Sequence, residues 1–187
     1  GIKDGKYIIT DLNGDGEISD DDRTYVGDAQ PDLTFGWQNN FTWKNWDFSF
    51  FFRGTIGNKV LNNPRAAYAN NTYLIGTNAL DDELTYTMKE SSRVCSYYLE
   101  NGSFIRLDNL ALGYTFDTKK INWLDKARLY FAAQNLFVIT GYKGLDPEVE
   151  LFRGESSDTD AGLSPGIEPR QFFPKARTFT LGVNLTF

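Results

Sequence analysis

The residues best placed to do chemistry sit between Asp11 and Asp22, in the stretch DLNGDGEISDDD. Asp11, Asn13 and Asp15 recur at every second position, and Gly16 follows at once. This D-x-N-x-D-G spacing sets three side-chain oxygens around one point, with glycine allowing the sharp turn. The backbone carbonyl of Glu17 supplies a fourth ligand, and the carboxylate of Asp22 closes the loop at position twelve. Hard oxygen donors in a flexible loop select calcium over magnesium. Ile18 stands where such loops tuck an apolar residue into the core. Position twelve is Asp rather than the customary Glu, so a shorter arm must reach the ion. The competing reading is an Asx-rich turn that needs no metal.

Other chemistry is thinly supplied. The 187 residues contain no histidine, which removes the commonest general base and metal ligand. One cysteine, Cys95, allows no disulfide framework within the chain. Asp146 with Glu148, or Glu150 with Asp158, can be drawn as a carboxylate pair for glycoside hydrolysis. Neither spacing is diagnostic, and no nucleophile–base set accompanies them; the chain reads as non-enzymatic. A net charge of −6 argues against nucleic acid as a partner. Arg53 and Arg106 fall in or near strands, as charges lining a polar interior or as substrate contacts. Tyr97 and Tyr98 read as part of an interfacial aromatic girdle in preference to a sugar-stacking pair.

The elements that must position these groups are strands. Residues 177–187, RTFTLGVNLTF, place Phe179, Leu181, Val183, Leu185 and Phe187 on one parity and threonine, glycine and asparagine on the other. The same period of two runs through Leu33–Trp43 and Trp46–Phe52, joined at Lys44–Asn45 as a hairpin. Ser103–Phe116 alternates as well, but its phase slips near Asp108–Asn109, which predicts a bulge there. Leu129, Phe131, Ala133 and Phe137 mark one face of a strand over Arg128–Val138. A helical stretch interrupted by Pro64 is expected within Asn58–Asn70, a weaker one at Asp81–Met88, and a helical turn within Asp117–Asp125. Lys6–Thr10 reads as a short strand.

Strands therefore alternate between short turns and loops of tens of residues. Outer-membrane barrels have this asymmetry, with short periplasmic turns and long extracellular loops. Five or six strands cannot close a wide barrel, so the remaining strands must come from elsewhere. The chain opens at Gly1 without an initiator Met and has no signal peptide, as a piece of a larger exported protein would. A soluble calcium-binding β-sandwich, such as a carbohydrate-binding module, is the alternative; it requires the apolar faces to be buried within the fold.

Several stretches, in order, resemble one family. They are Asp11–Asp22 with Arg23, Thr24 and Gly27; Pro31–Gly36; Asn45–Gly57; Glu100–Tyr114; Ala127–Pro147; and Phe173–Pro174 with Arg177–Phe187. Together they resemble the C-terminal end of SusC/RagA-type TonB-dependent outer-membrane transporters of Bacteroidetes. The resemblance implies an all-β fold: the C-terminal antiparallel strands of a transmembrane barrel of about 22 strands, with long extracellular loops containing short helices. Residues 1–187 would then be the C-terminal part of that barrel, with the plug domain and N-terminal strands outside this chain. It implies import of oligosaccharides or peptides across the bacterial outer membrane. The implied partners are the rest of the barrel and its plug, a SusD-like surface lipoprotein, the lipid bilayer, and TonB through the missing N-terminal part. Asn71–Ser96 and Glu150–Gln171 match poorly, as variable loops would.

Overall fold

A computed structural model describes residues 1–71, 78–91, 93–119, 121–149, 165–170 and 173–187. The chain divides into two units. One consists of Asp32–Ile56, Ser103–Gly141 and Pro174–Phe187; the other of Gly1–Pro31, Gly57–Gly102 and Tyr142–Phe173.

The first unit is one antiparallel sheet. Its strands are β3 (Leu33–Trp43), β4 (Trp46–Ile56), β7 (Phe104–Phe116), β8 (Lys126–Thr140) and β9 (Thr178–Thr186), hydrogen-bonded in the order β3-β4-β7-β8-β9. β3 and β4 pair from Trp43↔Trp46 to Leu33↔Ile56 around a two-residue turn. Lys44 takes a left-handed φ of 54°, as the tight primed hairpin turns require. Asp117–Asp125 forms the other short connection. The expected helical turn there is not a helix among the described residues; an Ile121 N–H to Thr118 carbonyl bond makes a plain turn. The strands run longer than the periodicity alone suggested, to Ile56 in β4 and Thr140 in β8.

The phase slip is a bulge. Phe51 pairs with Asn109 but Phe52 pairs with Leu107, leaving Asp108 extra on β7. One strand further on, Gln134 pairs with Asn109 and Phe137 with Leu107, so β8 carries two residues opposite that one. Asn135 absorbs the insertion at φ 51°, a region that asparagine tolerates better than most residues. A single extra residue inverts side-chain parity. The bulge therefore returns Ile105 and Leu107 to the face of Leu110, Leu112 and Tyr114.

The second unit is built from β1 (Ile2–Lys3) paired with β2 (Lys6–Tyr7), β5 (Lys59–Leu61) paired with β6 (Leu99–Asn101), and the short helices α1 (Asn63–Tyr68) and α2 (Glu83–Thr87). Pro64 does not interrupt α1. It lies in the first turn, where its missing N–H costs nothing, and Asn62 caps the helix by accepting the Arg65 N–H. Asp82 caps α2 through the Leu84 N–H and takes the Arg65 side chain at 2.7 Å. Ala66, Ala69, Leu84, Met88 and Tyr98 form the small core. Tyr98 is thus a core residue of this unit, its hydroxyl 3.0 Å from that of Tyr7, and not a member of a strand-borne girdle.

Candidate functional site

The sheet has two unlike faces. Register places Trp37, Phe41 and Trp43 of β3 beside Phe52, Phe48 and Trp46 of β4. Next come Leu110, Leu112 and Tyr114 of β7, then Ala133, Phe131 and Leu129 of β8, then Phe179, Leu181 and Val183 of β9. Rings pack edge and face along it, with Phe41 on Phe48 at 6.2 Å and Phe131 on Phe179 at 6.3 Å. Among the described residues, no second sheet covers this face within the unit. Leu181 is 73% exposed and Trp37 58%. The sandwich alternative needed Phe179, Leu181 and Val183 buried, and they are not.

The opposite face is polar and closely fitted. Asp47 of β4 receives the Arg128 guanidinium of β8 at 3.0 and 2.5 Å. The pair crosses over Gly113 of β7, where a Cβ would collide with the Asp47 carboxylate and the Arg128 side chain. Tyr130 lies over Gly182 in the same way. At the bulge, Arg53 meets Asp108 at 3.3 Å. Arg106, almost wholly buried, donates to the Asn135 side-chain carbonyl, and the Asn135 amide donates to the Lys175 carbonyl at 2.7 Å. Both arginines singled out in the sequence thus hold partners on the polar face.

Aromatics gather at the short-turn end of the sheet. Trp43 and Trp46 flank the hairpin turn, and Trp123 stacks on Phe187 at 5.8 Å. Amphipathic rings at strand ends suit a membrane–water interface.

The acidic loop belongs to the other unit and is organised by its own carboxylates. Asp11 accepts the Gly14 and Gly16 N–H groups at 2.6 and 2.9 Å. Asn13 accepts from Asp15 N–H and donates to the Asp15 carboxylate; Asp15 accepts the Glu17 N–H. Asp22 reaches back across the loop, one oxygen on Leu12 N–H at 2.7 Å and the other on Ser19 N–H at 2.8 Å. These backbone bonds from Ser19 and Leu12 hold its carboxyl below the ordinary range. Gly16 takes φ 86°, as the sharp turn demands. Among the described residues no three acidic or sulfur-bearing side chains converge as metal ligands do. Ile18, expected in a core, is exposed instead and faces a half-open cleft with Ile8, Leu12, Val26 and Val94.

Sequence reasoning missed the Asp47–Arg128 and Arg106–Asn135 ties. The signal for the second was legible: Asn135 is a polar residue at an apolar-parity position of β8. Of the carboxylate pairs drawn for catalysis, Asp146 is buried and accepts the Glu148 N–H, while Glu150 and Asp158 lie outside the described residues.

A single antiparallel sheet, apolar and uncovered on one side and polar on the other, with aromatic strand ends, defines the wall of a membrane β-barrel. No helix among the described residues is long and apolar enough to cross a membrane. No protein-family model matches the chain. It is 36% identical over 98% of its length to TonB-dependent receptor P3 of Formosa agariphila. It is 30% identical over 96% of its length to the TonB-dependent receptor SusC of Bacteroides thetaiotaomicron. The RagAB peptide importer in its closed-closed state matches 95% of the chain with a TM-score of 0.68 and 26% identity. The chain spans about a fifth of the length of these relatives. Over nearly its whole length, in sequence and in structure, the chain is similar to one stretch of the TonB-dependent receptors of the SusC and RagA kind. These relatives are receptors and transporters rather than enzymes, which bears out the non-enzymatic reading.

Proposed function

We propose that residues 1–187 are the C-terminal part of the barrel of an outer-membrane TonB-dependent importer. The whole protein takes up oligosaccharides or peptides, works with a SusD-like surface lipoprotein, and draws energy from TonB through a segment this chain does not contain. One observation carries the reading: the match to SusC and RagAB runs the length of a sheet whose apolar face is exposed, with no cover among the described residues. The open edges of β3 and β9 pair with strands of the remaining barrel, because unpaired backbone groups cannot face lipid. Deleting the gene should abolish growth on one class of glycan or peptide, and the purified receptor should bring a surface lipoprotein with it. Unchanged growth on every glycan and peptide source, with no lipoprotein recovered, would overturn it.

We also propose that the acidic loop binds calcium through Asp11, Asn13, Asp15, Asp22 and the Glu17 carbonyl. The donor set supports this: hard oxygens at the D-x-N-x-D-G spacing, around a Gly16 already in the required turn. Calorimetry on the full-length receptor should register one site that Asp11→Ala removes and that magnesium fills weakly. Equal heats for the wild type and the Asp11 variant would contradict it.

A further inference from the structure

One residue breaks the apolar face of the sheet. In β3 the row on that face runs Leu33, Phe35, Trp37, Asn39, Phe41 and Trp43. The rows that continue it across β4, β7, β8 and β9 carry apolar or aromatic side chains and a glycine, apart from Asn135, which the bulge turns to Arg106. Asn39 stands opposite Phe50 of β4, with Phe48 and Phe52 at the diagonal positions. The Phe50 ring lies 5.2 Å from Trp37 and 6.1 Å from Phe41, so aromatics flank the amide on that side. Among the described residues the Asn39 side chain has no hydrogen-bond partner.

On the barrel reading proposed above, on which this inference rests, Asn39 lies in hydrocarbon. It is four residues, about 13 Å, along the strand from Trp43 at the short-turn end. With the strand tilt of a barrel, that is about 10 Å into an apolar band roughly 25 Å tall. An amide left unpaired there is strongly disfavoured. β3 is an edge strand of this sheet, so the open side of Asn39 faces whichever strand adjoins β3 in the rest of the barrel. Side chains on an adjoining strand come within about 5 Å when directly opposite and about 7–8 Å at the diagonal, inside the reach of an amide. That junction also lacks a turn to fix its register. A two-residue turn sets the pairing of β3 with β4. β3 is preceded instead by Gly1–Pro31, folded in the other unit, so no tight turn reaches the strand on its outer side. Where β8 meets β9 across another long connection, Tyr130 over Gly182 keys the two strands together.

We infer that the strand adjoining the outer edge of β3 presents an uncharged hydrogen-bonding side chain, an amide or a hydroxyl, to Asn39 from its own apolar row, and that this polar pair sets the register of the junction. Alternation by itself excludes a one-residue slip, which would turn the apolar row to the polar side. It does not exclude a two-residue slip, because one large apolar side chain then replaces another. A single polar pair does exclude it, since the slip leaves both groups unpaired in hydrocarbon. The partner is uncharged because an ion at that depth is disfavoured more strongly than an amide. Asn39 is thus a positioning residue for the seam between this sheet and the remaining strands.

The test is disulfide crosslinking in the full-length receptor in native membranes, in a cysteine-free background that includes Cys95→Ser. Gln38→Cys, beside Asn39 but on the polar face, is combined with single cysteines at successive polar-face positions of the adjoining strand. With Asn39 intact, one crosslink should dominate by about tenfold over positions two residues away, and an amide or hydroxyl side chain should stand opposite or diagonal to Asn39. Asn39→Leu should spread the yield across positions two residues apart, cutting that preference to about twofold, and Asn39→Gln should restore it. An unchanged single register in Asn39→Leu, or apolar residues at every position within reach of Asn39, would overturn the inference. Disulfide-linked receptor dimers formed by Asn39→Cys would assign the amide to a second copy and overturn it too. If Asn39→Leu does not assemble, the side chain that faces Asn39 in the native register decides alone. A β3 that crosslinks to no strand of the receptor contradicts the barrel reading itself, and the loss of every crosslink tells that failure apart from a change of register.

Discussion

Asp22 shows how one carboxylate can set a loop. Its two oxygens join Leu12 to Ser19 across the intervening turn, while Asp11 gathers the Gly14 and Gly16 amides inside it. Because the folded pKa of Asp22 is depressed, the ordering it provides is present above the ordinary value of 3.8. That ordering is lost as pH falls through the lowered value. Exchange protection of the Leu12 and Ser19 amides should therefore collapse in acid, and Asp22→Asn should weaken it at neutral pH and remove the acid transition. The spacing of these residues was legible in the sequence because Asx turns are local. Ile18 was not: whether an apolar side chain is covered depends on residues far along the chain. The buried hydrogen bond between Tyr142 and Glu168 escaped sequence reading for a similar reason, since the two lie 26 residues apart.

Strands repeat this contrast between local and distant information. Alternation identified all five strands of the main sheet and the bulge, because the period of two is written in consecutive residues. It could not show that Asp47 reaches Arg128 over Gly113, which depends on register across three strands. Gly113→Val should force that pair apart and cost about 1–3 kcal/mol, measured by urea unfolding of the receptor in a lipid bilayer. The two faces should also differ sharply. Leu181→Lys places a charge in hydrocarbon and should cost about 2–4 kcal/mol if near the midplane. Thr180→Lys, one residue earlier and on the polar face, should cost little by the same assay. In the second unit, Arg65→Ala removes the Asp82 and Glu100 contacts and should destabilise that unit by about 1–3 kcal/mol. Limited proteolysis of 57–102 should report it.

At the scale of the whole molecule, a sheet this apolar on one side is stable only with something against it. Lipid satisfies that requirement, and the homology to SusC and the RagAB importer names the setting. Sequence order alone suggested the short-turn, long-loop asymmetry; it did not reveal that the long connections fold around a core of their own, with Met88 and Tyr98 at its centre. The most direct test of the account is quenching along β9 in native membranes. Single fluorescent labels placed in turn at residues 178–186 of the full-length receptor would be exposed to quencher-bearing lipids. The account predicts strong quenching at 179, 181, 183 and 185 and weak quenching at 178, 180, 182, 184 and 186. Uniform quenching, or protection of the Phe179–Leu181–Val183 face from lipid, would contradict it.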